Sequence, residues 1–277
     1  MLRALGDRAQ VRSGEEILSL RPKGLLRQGG LLAGDLVEVS GEHIVKVLPR
    51  RNELGRPPVA NVALLIAVAT LRDPAVQPAD VDRLLLQAAA IELEALVVLN
   101  KCDLASAAER DRFAAPLRAA GYRVLESAAS RGEGIGPLGA ALPQGLAVLA
   151  GPSGVGKSSL LSALTDFAVE VGAISARLRR GRHTTRAATL YEIGGGRLLA
   201  DTPGFSALEL PDIAPRALRD LYPEFRDRGC RFSDCVHRAE PDCGVRRAVA
   251  EGSIDPGRYE RYLRFLGELE GRPPQWH

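Results

Sequence analysis

Gly151-Pro152-Ser153-Gly154-Val155-Gly156-Lys157-Ser158-Ser159 meets the pattern G-x-x-x-x-G-K-[ST] at every fixed position. The apolar run Leu146-Ala147-Val148-Leu149-Ala150 precedes it, and the helix-compatible Leu160-Leu161-Ser162-Ala163-Leu164 follows. Strand, glycine loop and helix in that order are the setting this motif requires. Glycines let successive backbone N–H groups converge on phosphate oxygens, and the start of the helix adds its positive field. Lys157 supplies a mobile cation, and Ser158 is placed to ligate a Mg²⁺ ion between the β- and γ-phosphates. Residues 151–159 are therefore candidate contacts to a nucleoside phosphate.

Working outward, the chain before this loop alternates buried strands with amphipathic helices. Val62 to Val68 is a continuous apolar run, as expected of a strand covered on both faces of a parallel sheet. Residues 80–93 place Val81, Leu84, Leu85, Ala88 and Ile91 on one helical face. Strands are expected at 95–99 and 122–125, with a helix from the capping-box pair Ser106 and Glu109 to about Ala120 between them. Such alternation predicts an α/β domain with a mostly parallel sheet.

The strand at 95–99 delivers Asn100-Lys101-Cys102-Asp103 to a carboxyl-end loop, where ligands bind in such sheets. Asn-Lys-x-Asp resembles the base-reading box of translation-factor-type GTPases. In that class the aspartate accepts from guanine N1–H and the 2-amino group, and the asparagine contacts the base edge and its loop. Adenine lacks that donor pair, so a buried, unpaired Asp103 would penalise ATP. Glu126-Ser127-Ala128 resembles the second base-contact loop of the same class, making Ser127 and Ala128 candidates as well.

The order is permuted, since both base loops precede the phosphate loop. Circular permutation is tolerated because domain termini lie close together. The switch elements are then expected after residue 159. Arg182-His183-Thr184-Thr185-Arg186 suits a mobile switch loop, and a short strand at 197–200 ends in Asp201-Thr202-Pro203-Gly204. Asp201 is expected to hold a Mg²⁺ water and the Gly204 N–H to meet the γ-phosphate. Either Thr184 or Thr185 completes the Mg²⁺ shell. GTPases of this type commonly orient water with a glutamine just past the Asp-x-x-Gly box, but Phe205 stands there. His183 is the candidate catalytic residue in its place.

Both flanks read as separate modules. Residues 1–51 contain short β segments, at 11–12, 16–20, 35–39 and 43–47, with Ser40-Gly41-Glu42 as a hairpin turn. They predict an OB-like β-barrel with RNA-facing arginines, though fewer strands than a complete five-stranded barrel. Asn52 to Pro58 reads as a linker. The GTPase domain is expected over 58–210 and a helical zinc-binding domain over 211–277. There Cys230, Cys235, His237 and Cys243 lie within 14 residues, a sufficient Cys₃His set for one structural Zn²⁺. A helix at 256–270 is expected to turn Tyr259, Tyr262, Leu263, Leu266 and Leu269 inward, with Arg258, Arg261 and Arg264 largely outward.

Composition sets bounds. The 277 residues are 45% hydrophobic and 26% charged, which excludes global disorder. Only four of the 37 basic residues are lysine, leaving 33 arginines, whose planar forks suit phosphate and RNA. No apolar run reaches membrane-spanning length and no leader is evident, so a cytoplasmic protein with no membrane partner is expected. Nothing demands an oligomer, and a monomer is expected.

Barrel, permuted GTPase and Cys-Cys-His-Cys site in this order resemble the ribosome small-subunit-dependent GTPase A family, bacterial ribosome-assembly factors. The resemblance runs over nearly the whole chain. It implies GTP hydrolysis to GDP stimulated by the 30S ribosomal subunit, late 30S maturation, contacts to 16S rRNA, and release on hydrolysis. It points to His183 for catalysis. Two other readings remain: an ATP-using ATPase or kinase, and an RNA-binding protein with a vestigial nucleotide site.

Overall fold

In the first fifty residues alternating side chains bury one face of each short strand. In this computed structural model β1 (Arg3–Leu5), β2 (Arg8–Ser13), β3 (Glu16–Pro22), β4 (Val37–Ser40) and β5 (His43–Val47) form one sheet in the order β1-β2-β3-β5-β4. Only β3 and β5 pair in parallel. Ala9, Val11, Leu20 and Ile44 make its core with Met1. The Gly34 N–H donates to the Met1 carbonyl at 2.9 Å and the Met1 ammonium to the Asp35 carbonyl at 2.5 Å. These bonds bring the start of β1 against the entry to β4, so the sheet curls toward a barrel. Expected to fall short of five strands, the module has five. β1 is too brief to show alternation in sequence. The structure describes residues 1–170, 189–201 and 209–272, except residues 6, 15, 25, 27–29 and 56–57.

The expected linker is instead a hairpin of β6 (Glu53–Gly55) and β7 (Pro58–Ala60). Leu54 and Val59 are buried in the core of the central domain, which pins the hairpin there. Asn52 bonds both ways with the Val62 backbone at 2.9 Å, imitating a strand pair. Proline and glycine content alone reads as a linker; two inward apolar residues make the segment a strand pair instead.

The central domain runs β8 (Val62–Ala69), α1 (Pro78–Ala90), β9 (Ala95–Leu99), α2 (Ala107–Ala119), β10 (Arg123–Glu126), α3 (Ile135–Ala141), β11 (Gly145–Ala150), α4 (Lys157–Glu170), β12 (Thr189–Gly194) and β13 (Arg197–Asp201). Its sheet has the order β10-β9-β8-β11-β13-β12, parallel except for the β12–β13 pair. The apolar run of β8 lies mid-sheet between β9 and β11, which is why nearly all of it is buried. The capping box holds: Ser106 Oγ accepts the Glu109 N–H while the Glu109 carboxylate accepts the Ser106 N–H. Those Ser106 donors, and then Arg72, lower the Glu109 pKa to about 2. β12 was not foreseen. It is an edge strand, and it follows a polar, arginine-rich stretch.

After residue 209 the chain forms 3₁₀ turns at Pro215–Leu221 and Pro223–Phe225, then α5 (Gly244–Ala250) and α6 (Pro256–Glu270). Tyr222, Phe225 and Tyr262 stack and cross at 4.9–5.2 Å between ring centroids. Phe265 is fully buried in the same core, a burial worth about 1.5–3 kcal/mol. One expectation for α6 fails: Arg258 does not face solvent. Its side chain is 3% exposed and pairs with Asp82 of α1 at 2.6 Å and Glu224 at 2.5 Å. Arg261 also reaches Asp82, at 2.5 Å, whereas Arg264 remains exposed. Burial opposes the charge on Arg258, but the two carboxylates outweigh it and raise its pKa. Among the described residues no helix is long and apolar enough to cross a membrane.

Candidate nucleotide site and metal centre

Parallel strands aim their carboxyl ends one way, so β9, β10, β11 and β13 deliver Asn100, Ser127, Gly151 and Asp201 to one edge of the sheet. The phosphate loop passes so close to its neighbours that side chains are excluded. Gly151 has φ 147°, and a Cβ there would run into the Val68 carbonyl. Gly156 has φ 89°, and a Cβ there would run into the Asn100 amide. Lys157 begins α4, and its ammonium donates to the Gly151 and Pro152 carbonyls at 2.7 Å each. Ser158 and Ser159 face a cavity of about 600 Å³ bounded across by Gly132 and Ile135.

Asn100 ties the loops together. It is buried, and its Nδ2 donates to the Val155 carbonyl of the phosphate loop at 2.9 Å. Its Oδ1 accepts from Ser127 Oγ at 3.0 Å and from the Ala129 N–H at 3.2 Å. One amide thereby fixes three loops from distant parts of the chain. Lys101 adopts the left-handed conformation and donates to the Asp73 carbonyl. The Cys102 thiol donates to the Leu99 carbonyl at 3.0 Å, and burial raises its pKa.

Asp103 carries the informative geometry. Its side chain is 10% exposed; Oδ2 pairs with Arg131 Nε at 3.2 Å. Oδ1 is buried and has no hydrogen-bond partner among the described residues. Buried carboxylate oxygens are ordinarily bonded, and leaving one unpaired is costly. Asp103 opens on a cavity of about 320 Å³, lined also by Ser127, Ala128 and Arg131. A ligand with adjacent N–H donors would satisfy it, and guanine presents such an edge.

The described structure thus assembles the phosphate loop, Asn100, Lys101, Cys102, Asp103, Ser127 and Ala128. The backbone of Asp201 lies in register with Leu149, two residues before Gly151. His183, Thr184, Thr185, Gly204 and Phe205 lie outside the described residues.

At the other end of the chain, His237 Nδ1 lies 3.5, 3.3 and 3.4 Å from the sulfurs of Cys230, Cys235 and Cys243. Cys230 and Cys243 Sγ are 3.9 Å apart. All four donor atoms fall within 4.8 Å of one another, so the cluster could hold one metal ion. A tetrahedron with metal–sulfur bonds of ~2.3 Å has edges of about 3.8 Å, which these separations approximate. The surrounding turn is held by the Glu240 carboxylate, which accepts the N–H groups of Val236, Arg238 and Ala239. Tyr259 and Tyr262 of α6 donate to the His237 and Val236 carbonyls at 2.6 Å. Sequence reasoning missed these supports, and also Arg131, because none belongs to a motif.

A family model described as RsgA GTPase matches residues 47–211. A Geobacillus thermodenitrificans protein is 39% identical over 100% of this chain and 98% of its own length. This chain belongs to the RsgA GTPase family. That relative is named small ribosomal subunit biogenesis GTPase RsgA, as is one from Moorella thermoacetica, 42% identical over 98% of this chain and 97% of its own. The crystal structure of YjeQ from Thermotoga maritima superposes with a TM-score of 0.83 at 35% identity, over 96% of this chain and 95% of that one. YloQ, described as a circularly permuted GTPase, gives 0.80 at 29% identity over 99% and 95%. The permutation is visible in this RsgA-family member: β8, β9 and β10, with both candidate base loops, precede β11 and the phosphate loop.

Proposed function

We propose that this chain hydrolyses GTP to GDP and phosphate as a late maturation factor of the small (30S) ribosomal subunit. The observation that carries the reading is Asp103, buried with one oxygen unpartnered and tied through Asn100 to the phosphate loop. The names of the full-length relatives support the ribosomal assignment. Guanine N1–H and its 2-amino group bond Asp103, Ser127 and Ala128 bound the base, and residues 151–159 take the phosphates. Ser158, Asp201 and either Thr184 or Thr185 hold Mg²⁺, which spreads the charge on the phosphates. The Gly204 N–H meets the γ-phosphate.

Water attacks the γ-phosphorus while the bond to the β-phosphate oxygen breaks, and GDP leaves with that electron pair. Phe205 cannot orient the water, so His183 does so, and the 30S subunit places the switch loop that carries it. Hydrolysis then releases the switch contacts and the protein leaves the subunit. Arginines of the barrel contact 16S rRNA. The functional modules are 1–51, 58–210 and 211–277, acting as a cytoplasmic monomer. Turnover with and without purified 30S subunits tests this reading: we expect strong stimulation, lost in His183→Ala without a change in GTP affinity. A stimulated rate that survives His183→Ala rules that residue out.

The cluster of Cys230, Cys235, His237 and Cys243 takes one structural Zn²⁺. With every position filled by protein, the ion contributes folding energy rather than catalysis. Elemental analysis is expected to find one zinc per chain, and Cys235→Ala to lose it and open the 226–238 segment to trypsin. A metal-free protein with a trypsin-resistant segment contradicts the assignment.

A further inference from the structure

Asp103 sits in the 3₁₀ turn Cys102–Leu104, and Arg131 ends the facing turn Ala129–Arg131. Backbone bonds tie the segments that lead into the two turns: Cys102 N–H donates to the Ser127 carbonyl at 3.0 Å, and Ser127 N–H to the Leu99 carbonyl at 2.9 Å. Asn100 adds its bonds to Ser127 and Ala129. Gly132, at φ 73°, caps the second turn and sends the chain away behind Arg131. The guanidinium therefore crosses a gap whose two walls are fixed. It meets Asp103 only at Oδ2, from the rim, where its own side chain is 58% exposed. Oδ1 is buried and without a partner among the described residues.

From this division we infer that Arg131 is the positioning residue that sets guanine specificity, resting on the GTP reading above. Arg131, which lines the cavity beside Asp103, clamps one carboxylate oxygen and so fixes the plane of the carboxylate. The carboxylate is thereby held in one orientation beside the cavity in which an incoming purine would present its donors. A cation beside the carboxylate also offsets part of the cost of desolvating it when the base expels water. The effect concentrates on the 2-amino group, because its bond needs the carboxylate plane held. Inosine nucleotides, which keep N1–H but lack that amino group, depend on it less.

The test measures dissociation constants of GTP, ITP and ATP for the full chain and for Arg131→Met and Arg131→Lys. Arg131→Met is expected to weaken GTP about fivefold, the scale of one exposed ion pair. ITP should weaken by less than half that factor, so the GTP/ITP ratio contracts, while Arg131→Lys recovers part of the GTP affinity. Equal weakening of GTP and ITP would mean a merely structural role and overturn the inference. GTP binding that is unchanged or tighter in Arg131→Met overturns it too, since the guanidinium would then compete with the base. Failure of the underlying reading looks different: the unmodified protein would bind ATP as well as GTP.

Discussion

Arg258→Ala is expected to lower the stability of the protein by about 3–5 kcal/mol, the cost of leaving buried charges without their counter-ion. Asp82 and Glu224 are 1% and 4% exposed, so water cannot replace the lost guanidinium. Glu224 already has one buried oxygen without a partner among the described residues. Arg258 also lies over the Tyr222 ring at 5.4 Å, and the same substitution removes that cation–π attraction. The change shows as a shifted urea midpoint, read by near-ultraviolet circular dichroism of the Tyr222, Phe225 and Tyr262 cluster. A loss below about 1 kcal/mol would mean that the three groups are solvated in solution, as exposed pairs are. Replacing Arg258, Arg261, Asp82 and Glu224 together by apolar residues of similar volume should recover much of the stability, because no member of the network is then left without its partner. The network joins α6 of the Cys/His module to α1 of the central domain, so it governs how firmly those two cores are held together.

Asp103→Ala is expected to reduce GTP affinity by about 10²–10⁴-fold, since two hydrogen bonds to a charged acceptor are worth about 1.5–3 kcal/mol each. ATP affinity should stay nearly unchanged, because adenine offers no donor pair to that carboxylate. Titration calorimetry with both nucleotides separates this outcome from a general loss of folding, which would lower both. A GTP affinity within fivefold of the unmodified protein would remove Asp103 from the base site. The direction follows from burial: an acceptor 10% exposed with one oxygen unbonded gains more from a ligand than an acceptor already hydrated.

Much of the nucleotide site was open to reading because its chemistry depends on contiguous residues. Gly151 to Ser159 is glycine-rich because it passes close to other groups: a Cβ would run into the Val68 carbonyl at Gly151 and the Asn100 side-chain amide at Gly156. The capping box at Ser106 and Glu109 was equally local. Arg258 was misread for a different reason. It lies four, seven and eleven residues before Tyr262, Phe265 and Leu269, on the buried stripe of α6, but a charged side chain is normally assigned to solvent. Its place inside depends on Asp82, 176 residues away, and no spacing within the helix reveals that partner.

By itself the sequence determined the α/β core, the permuted order of its loops, the glycine loop before α4 and the grouping of Cys230, Cys235, His237 and Cys243. Each of these follows from short-range spacing or from the periodicity of apolar residues. Only the tertiary structure decided that 53–60 is a hairpin on the central core, that a three-residue first strand helps close the barrel, and that Asn100 joins three loops. It alone placed Arg258 in a buried ion network and Arg131 on Asp103. Those features depend on groups meeting across long stretches of chain, and such meetings are set by packing, which a linear pattern does not encode.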